Sequence, residues 1–262
     1  MAARDITQMG GEATAFPATQ WTIVDAARTV DADRGRANIG TLAARYWKPV
    51  YAYLRRRGWN NDEAKDLTQG FFGEVVLERG LFARADRTKG RLRTFVLTAL
   101  DRYVTDKVRR RDSLRRRPRN GRLVPLEAGD EPLPVVEPHR GPEGAFLYAW
   151  ACQLLEDVLS AVEKDCRRAG LSAHWEVFRQ TVVEPELRGA DRPPLAELCR
   201  RLGVGDERTA ANMSITVKRR FRAALRARVR ASVASDDEVE EEIRELMATL
   251  QEGQGAAAAP AV

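Results

Sequence analysis

The chain has 262 residues, 44% of them hydrophobic, 31% charged and 7% aromatic, with a formal net charge of +6. That length builds one large core or two small ones, and a charge-rich, aromatic-poor composition suits small helical domains better than a single α/β enzyme. No run of about 18 apolar residues occurs, so no membrane span is expected, and residues 1–17 lack the apolar stretch of a secretory signal, which points to the cytoplasm.

Residues 1–18 read as a flexible arm. A helix is expected to begin near Thr19, with Trp21, Ile23 and Val24 as apolar contacts. From Asn38 onward, Ile39, Leu42, Tyr46, Val50, Tyr53 and Leu54 recur at three- and four-residue spacing, the mark of an amphipathic helix. Pro49 is expected to bend or interrupt it and Gly58 to end it. Asn60 or Asn61 then caps a helix whose first turn carries Asp62 and Glu63, where the helix dipole favours them. That helix runs to Gly80 and buries Ala64, Leu67, Phe71 or Phe72, Val75 and Val76. After the loop LFARADRTKG comes a basic helix with a buried stripe of Leu92, Phe95, Val96, Ala99, Leu100, Tyr103 and Val104. Residues 118–142 hold Asn120–Gly121, Gly129–Asp130 and several prolines, the composition of a linker and a domain boundary.

A second helical domain is expected over residues 143–232. Phe146, Trp150, Leu154, Leu155, Val158, Leu159 and Val162 form its first apolar face, and His174 to Val183 reads as another helix. PPLAELCRRLGVGDERTAANMSITVKRRF then reads as helix, turn, helix. Pro193 or Pro194 opens the first helix, Gly203 allows the turn and Asp206 caps the second. Ala210, Met213, Val217, Phe221, Leu225 and Val229 make the buried stripe of that second helix. The acidic extension, residues 233–262, is expected as a short solvated helix, with folding against a basic surface as the alternative. The expected fold class is therefore all-α: two small helical domains, 19–117 and 143–232, joined by a flexible linker.

Charge is strongly segregated along this plan. From Arg84 to Arg122 there are fifteen Lys and Arg against four Asp, and from Arg208 to Arg230 eight basic residues and no acidic one. Two such surfaces are suited to replacing counterions along a phosphate backbone. A helix-turn-helix lays the start of its second helix against base edges, so Arg208, Thr209, Ala211, Asn212, Ile215 and Thr216 are the candidate readers. Lys218, Arg219, Arg220 and Arg222 lie further along and suit phosphates. A plain helical hairpin with a solvated arginine face accounts for the same residues. In the first basic helix, Phe95 and Tyr103 interleave with Arg93, Arg102, Lys107, Arg109, Arg110 and Arg111, a pattern that suits single-stranded nucleic acid. Helical spacing also makes both rings core residues, leaving the arginines alone to hold a strand. Asp66 and Gln69, beside Phe71, suit a protein partner rather than DNA, and a solvated face is the simpler account of them taken alone.

Chemistry-bearing constellations are lacking. Cys152, Cys166 and Cys199 are widely spaced and odd in number, the two histidines sit near no cysteine pair, and no phosphate loop or nucleophile elbow occurs. The expectation is a protein with no cofactor and no enzymatic activity of its own.

Three stretches in this order resemble an extracytoplasmic-function (ECF) type RNA polymerase sigma factor. DEAKDLTQGFF is similar to the acid-Leu-x-Gln-x-x-Phe core of region 2.2, RTFVLTALDRYVTDKVRRR to regions 2.3 and 2.4, and PPLAELCRRLGVGDERTA…VKRRFRAALR to region 4.2. FPATQWTIV resembles an N-terminal element of planctomycete-type ECF proteins. The likeness covers roughly residues 38–117 and 145–230. It implies that Asp66, Gln69, Phe71 and Phe72 dock on the β′ clamp helices of core RNA polymerase. It implies that Arg91, Arg93, Arg102, Tyr103, Lys107, Arg109, Arg110 and Arg111, with the loop before them, bind the −10 element and its opened single strand. Arg208, Thr209, Asn212, Thr216, Lys218, Arg219, Arg220 and Arg222 would contact the −35 duplex while the β flap packs against their domain. Control by an anti-sigma factor or a Ser/Thr kinase is left open. The chain departs from the family at Arg102, where asparagine is usual, and at Ala211, Ile215 and Thr216, which replace the common basic readers. Two other functions suit the same residues: a helix-turn-helix regulator that never engages polymerase, or a basic helical adaptor for RNA or an acidic protein.

Overall fold

The spacing of Leu42, Tyr46, Val50 and Tyr53 produces one continuous helix, α1 (Ala32–Arg56), which runs straight through the buried Pro49. The structure is a computed structural model and describes Val24 and residues 32–115, 141–233 and 235–257. The expected N-terminal arm, the start of the helix near Thr19 and nearly all of the 118–142 linker lie outside the described residues. Among the described residues every regular element is helical.

Asn60 caps α2 (Asn61–Gly70) through a full capping box: its side chain accepts from the Glu63 backbone N–H at 2.9 Å, and the Glu63 carboxylate accepts from the Asn60 N–H at 3.3 Å. α2 passes without a break into a π-helical stretch, Phe71–Glu78. Two 3₁₀ turns, Phe82–Arg84 and Arg87–Lys89, lead into the basic helix α3 (Leu92–Arg115). α4 (Pro142–Arg168) follows, then α5 (Ser172–Phe178), a second π-helical stretch (Arg179–Val183) and α6 (Glu184–Arg188). The helix-turn-helix is α7 (Leu195–Leu202) and α8 (Glu207–Arg230), and the acidic segment forms α9 (Glu238–Ala257).

The helices on either side of the linker share one core, where two separate domains had been expected. α1 finds its most extensive partner in α4, with the Tyr46 and Phe146 rings stacked at 6.2 Å, and a single apolar cluster runs from Leu42 through Phe71, Leu100 and Trp150 to Val229 and Leu250. The physical reason is area. Either helical set alone is small, and rings that meet across the linker, Tyr46 and Phe146, are both 0% exposed in the joint core. A separate small cluster of Val177, Leu198, Cys199, Val204 and Ala210 holds the helix-turn-helix together. α4 is long and apolar enough by length and composition to cross a membrane. Here it forms the central helix on which α1, α8 and α9 pack.

Candidate nucleic-acid interface

The helix-turn-helix is built from three local signals. Gly203 takes φ +66° at the end of α7, a left-handed turn that a side chain would strain. Asp206 caps α8, its carboxylate accepting from the Thr209 N–H at 2.6 Å. Behind α8, Phe221 meets Phe178 at 6.3 Å, and Ala210, Val217, Leu225 and Val229 are buried, so the opposite face of the helix is fixed outward. On that face Arg208, Thr209, Asn212, Thr216, Lys218, Arg219, Arg220 and Arg222 are all exposed, as the sequence predicts, and Ile215 stands 46% exposed among them. Among the described residues no carboxylate pairs with Arg208, Lys218, Arg219, Arg220 or Arg222. The Thr216 hydroxyl donates to the Asn212 carbonyl at 3.0 Å, leaving its lone pairs outward. The far end of α8 is tied to its neighbours: Arg228 pairs with Asp157 of α4 at 2.9 Å, and at the surface Arg226 pairs with Glu240 of α9 at 2.7 Å.

The second basic surface is a groove of about 740 Å³ between the loop that follows the π-helical stretch and the first four turns of α3. Arg79, Arg84, Lys89, Arg91 and Arg102 line it, with Asp86 and Asp106 as its acids and Phe95 and Tyr103 as its aromatic floor. Arg79, Arg84 and Arg102 have no carboxylate partner among the described residues. Arg79 was not singled out from sequence, and Arg84 and Lys89 were covered only as part of the loop before Arg91. The loop composition ARADRTK held the signal, but only the fold turns that loop to face α3. Further along α3, Arg109, Arg110 and Arg111 are exposed, and Arg111 lies over the Trp59 ring at 5.3 Å and 3.5 Å from Glu63.

Four residues expected at binding surfaces are buried instead, and two more, Lys107 and Arg91, are paired with carboxylates. Phe71 and Phe72 are 0% and 7% exposed, packed against Tyr103 and Trp47, so neither forms a docking edge. Two adjacent rings turn inward because the π-helical stretch here packs a wide apolar face against α1 and α3. The exposed edge of this element is Asp66, Gln69 and Leu77, the last 57% exposed. Tyr103 is buried, its ring edge-on to Phe71 and its other side covered by the Lys107 ammonium at 5.1 Å, which pairs with Glu74 at 2.6 Å. It packs so closely that a Cβ at Gly70 would collide with its hydroxyl. At 6% exposure Tyr103 offers little ring surface for a base to stack on. Phe95, half-buried in the groove wall, remains the ring in reach.

Arg93 is the fourth, and the acidic extension is the cause. α9 folds onto the start of α3, the outcome set as the alternative to a solvated helix. The Arg93 side chain is 7% exposed, paired with Glu242 and Glu245 and lying over the Trp150 ring at 4.7 Å. Burial pushes its guanidinium down to about 10, which leaves it charged at neutral pH. Arg91, at the groove's rim, reaches Glu242 at 2.8 Å and also pairs with Glu245. Hydrogen bonding to Arg91 is the largest of the effects that hold the Glu245 carboxyl below the usual carboxylate range.

Among the described residues no cluster of His, Cys, Asp or Glu is arranged to hold a metal ion. Comparison with family models, with curated proteins and with solved structures finds no match to this chain.

Proposed function

We propose that this chain is a sigma factor of the ECF type, which binds core RNA polymerase and directs promoter recognition, −10 strand opening and initiation. The observation that carries the reading is the outward face of α8. It joins a capped helix-turn-helix to Asn212, Ile215 and five cations that no described carboxylate neutralises. Asn212 suits an adenine edge and Ile215 a thymine methyl, while Lys218, Arg219 and Arg222 suit phosphates on either side. The groove beside α3 complements this. Arg79, Arg84 and Arg102 offer charge to a single-stranded backbone and Phe95 a surface for an unstacked base. Opening a duplex costs a few kcal/mol per step in lost stacking, and such contacts offset it without chemistry from this chain. Asp66, Gln69 and Leu77 would dock on the β′ clamp helices, and the helix-turn-helix domain would meet the β flap. An anti-sigma factor or a Ser/Thr kinase would regulate it. The cytoplasm, where polymerase works, would be its location.

Run-off transcription with purified core polymerase tests the reading, on a fragment from upstream of the chain's own gene and on a genomic library. Discrete, protein-dependent initiation is expected. No transcript together with no binding to core polymerase would overturn it.

Burial of Phe71 and Phe72 favours one second reading, since it removes two of the four residues expected to hold polymerase. On that reading the chain is a helix-turn-helix regulator that binds DNA alone. Binding to core polymerase separates the two: a sigma factor binds it, and Asp66→Ala with Gln69→Ala weakens that binding while duplex binding is kept, whereas a regulator binds duplex DNA and shows no polymerase binding even as wild type.

A further inference from the structure

The groove beside α3 has one cation that is held by carboxylates of a distant element. Among the described residues Lys89 pairs only with Asp86 of its own loop, at 3.6 Å, whereas Arg91 is bound by Glu242 and Glu245 of α9, more than 150 residues away. These two carboxylates are in very different places. Glu242 is 1% exposed, held between Arg91 and Arg93, and neither of its oxygens gains a well-aligned hydrogen bond. With Val239, Leu246 and Leu250, which are 2–9% exposed, it seats α9 against the core. Glu245 stands at the rim, 42% exposed, with Arg91 itself 25% exposed. A phosphate entering the groove therefore meets Arg91 already occupied by a group of its own charge and similar geometry. It can take that end of Arg91 by displacing the Glu245 side chain, which also gives up its 2.8 Å pairing with Arg93, while Glu242 stays in place and α9 is not lifted.

We propose that Glu245 is a built-in competitor for nucleic-acid phosphate at Arg91: it neutralises one end of the groove until a strand displaces it, while Glu242 and Arg93 keep α9 seated. The proposal rests on the reading of the groove as a single-strand site. It assigns the acidic extension a role in setting how much phosphate contact is needed before the groove is filled. Arg91 then counts as a phosphate ligand only in the displaced state.

The test uses the full chain and a short labelled oligo(dT), with anisotropy measured across a salt series. Glu245→Gln removes the competing charge at a rim position; because Glu245 also pairs with Arg93, urea unfolding first checks that the variant is folded under the binding conditions. The variant is expected to tighten binding about two- to five-fold at low salt, the size of a partly exposed ion pair. The slope of log affinity against log salt should steepen by about 0.7, one added single-strand phosphate contact. Glu241→Gln makes the same change in net charge on α9, but among the described residues Glu241 pairs only with Arg244. It should stay near wild type. Adding Arg91→Ala to Glu245→Gln should abolish the gain. If Glu245→Gln behaves like Glu241→Gln while all proteins bind, the competitor role is wrong and the groove reading stands. If neither wild type nor any variant binds the oligonucleotide, the groove reading fails and the competitor role falls with it.

Discussion

Replacing Arg93 by methionine tests the seating of α9 directly. Arg93 is 7% exposed and faces Glu242, at 1%, so the substitution leaves a buried carboxylate with Arg91 as its one remaining cation. Breaking a buried pair costs about 3–5 kcal/mol. Arg91 still reaches Glu242 at 2.8 Å, which places the loss near the lower end. The lost contact with the Trp150 face, 4.7 Å away, adds about 1 kcal/mol. Arg93→Met should therefore lower stability by about 3–4 kcal/mol. The double variant Arg93→Met, Glu242→Leu puts apolar groups in both places and removes the stranded charge. It should return to within about 1 kcal/mol of wild type, because well-packed apolar replacements of buried pairs are close to neutral. Urea unfolding of wild type, both single variants and the double variant gives the coupling energy, provided the m-values agree. A cost below about 1 kcal/mol for Arg93→Met would mean that Glu242 is hydrated in solution and α9 is not seated on α3, which would refute the reasoning.

Further measurements check the remaining inferences. Gly70→Ala should destabilise by about 1–3 kcal/mol, since its Cβ would collide with the Tyr103 hydroxyl, and Tyr103→Phe in the same chain should restore most of the loss in thermal unfolding. Asp206→Ala removes the cap of α8 and should cost about 1 kcal/mol by urea unfolding, with Asp206→Ser nearly harmless. The carboxyls of Glu245, Asp101 and Glu176 are held below their ordinary values, chiefly by hydrogen bonds from Arg91, Tyr53 and Arg179 respectively. Their folded values lie below their unfolded ones, so their stabilisation is full above about pH 5 and is lost as pH falls through the lowered values. Urea midpoints should be flat from neutral pH to about 5 and drop below about 4; a midpoint that rises on acidification would contradict the assignment. On duplex DNA, Lys218→Ala or Arg219→Ala should each lower the salt slope by about 0.9 across all sequences. Asn212→Ala should leave the slope alone and relax preference at one base pair, read by competition among oligonucleotides.

The helices themselves were legible because their causes are local. The Asn60 and Asp206 caps, the Gly203 turn and the apolar spacing of α1 and α8 are short-range chemistry, and the structure has each where the residues imply. The outward face of α8 follows from periodicity alone: once Ala210, Val217 and Val229 go in, Asn212, Thr216 and Arg219 go out. Burial across elements was not legible in this way. Phe71 and Phe72 are adjacent, and only the π-helical stretch and the rings of Trp47 and Tyr103 turn both inward. Pairing between distant charges was less legible still. Arg93 and Glu242 lie 149 positions apart, each within a segment that reads as solvated, and nothing near either one names the other. The sequence by itself determined an all-helical chain with a capped helix-turn-helix and two cationic segments, since propensity, capping and charge act over a few residues. Only the tertiary structure decided that both helical sets share one core and which arginines are spent inside it. The acidic helix closes over Arg91 and Arg93 because desolvation makes a charge depend on whatever the whole fold brings beside it.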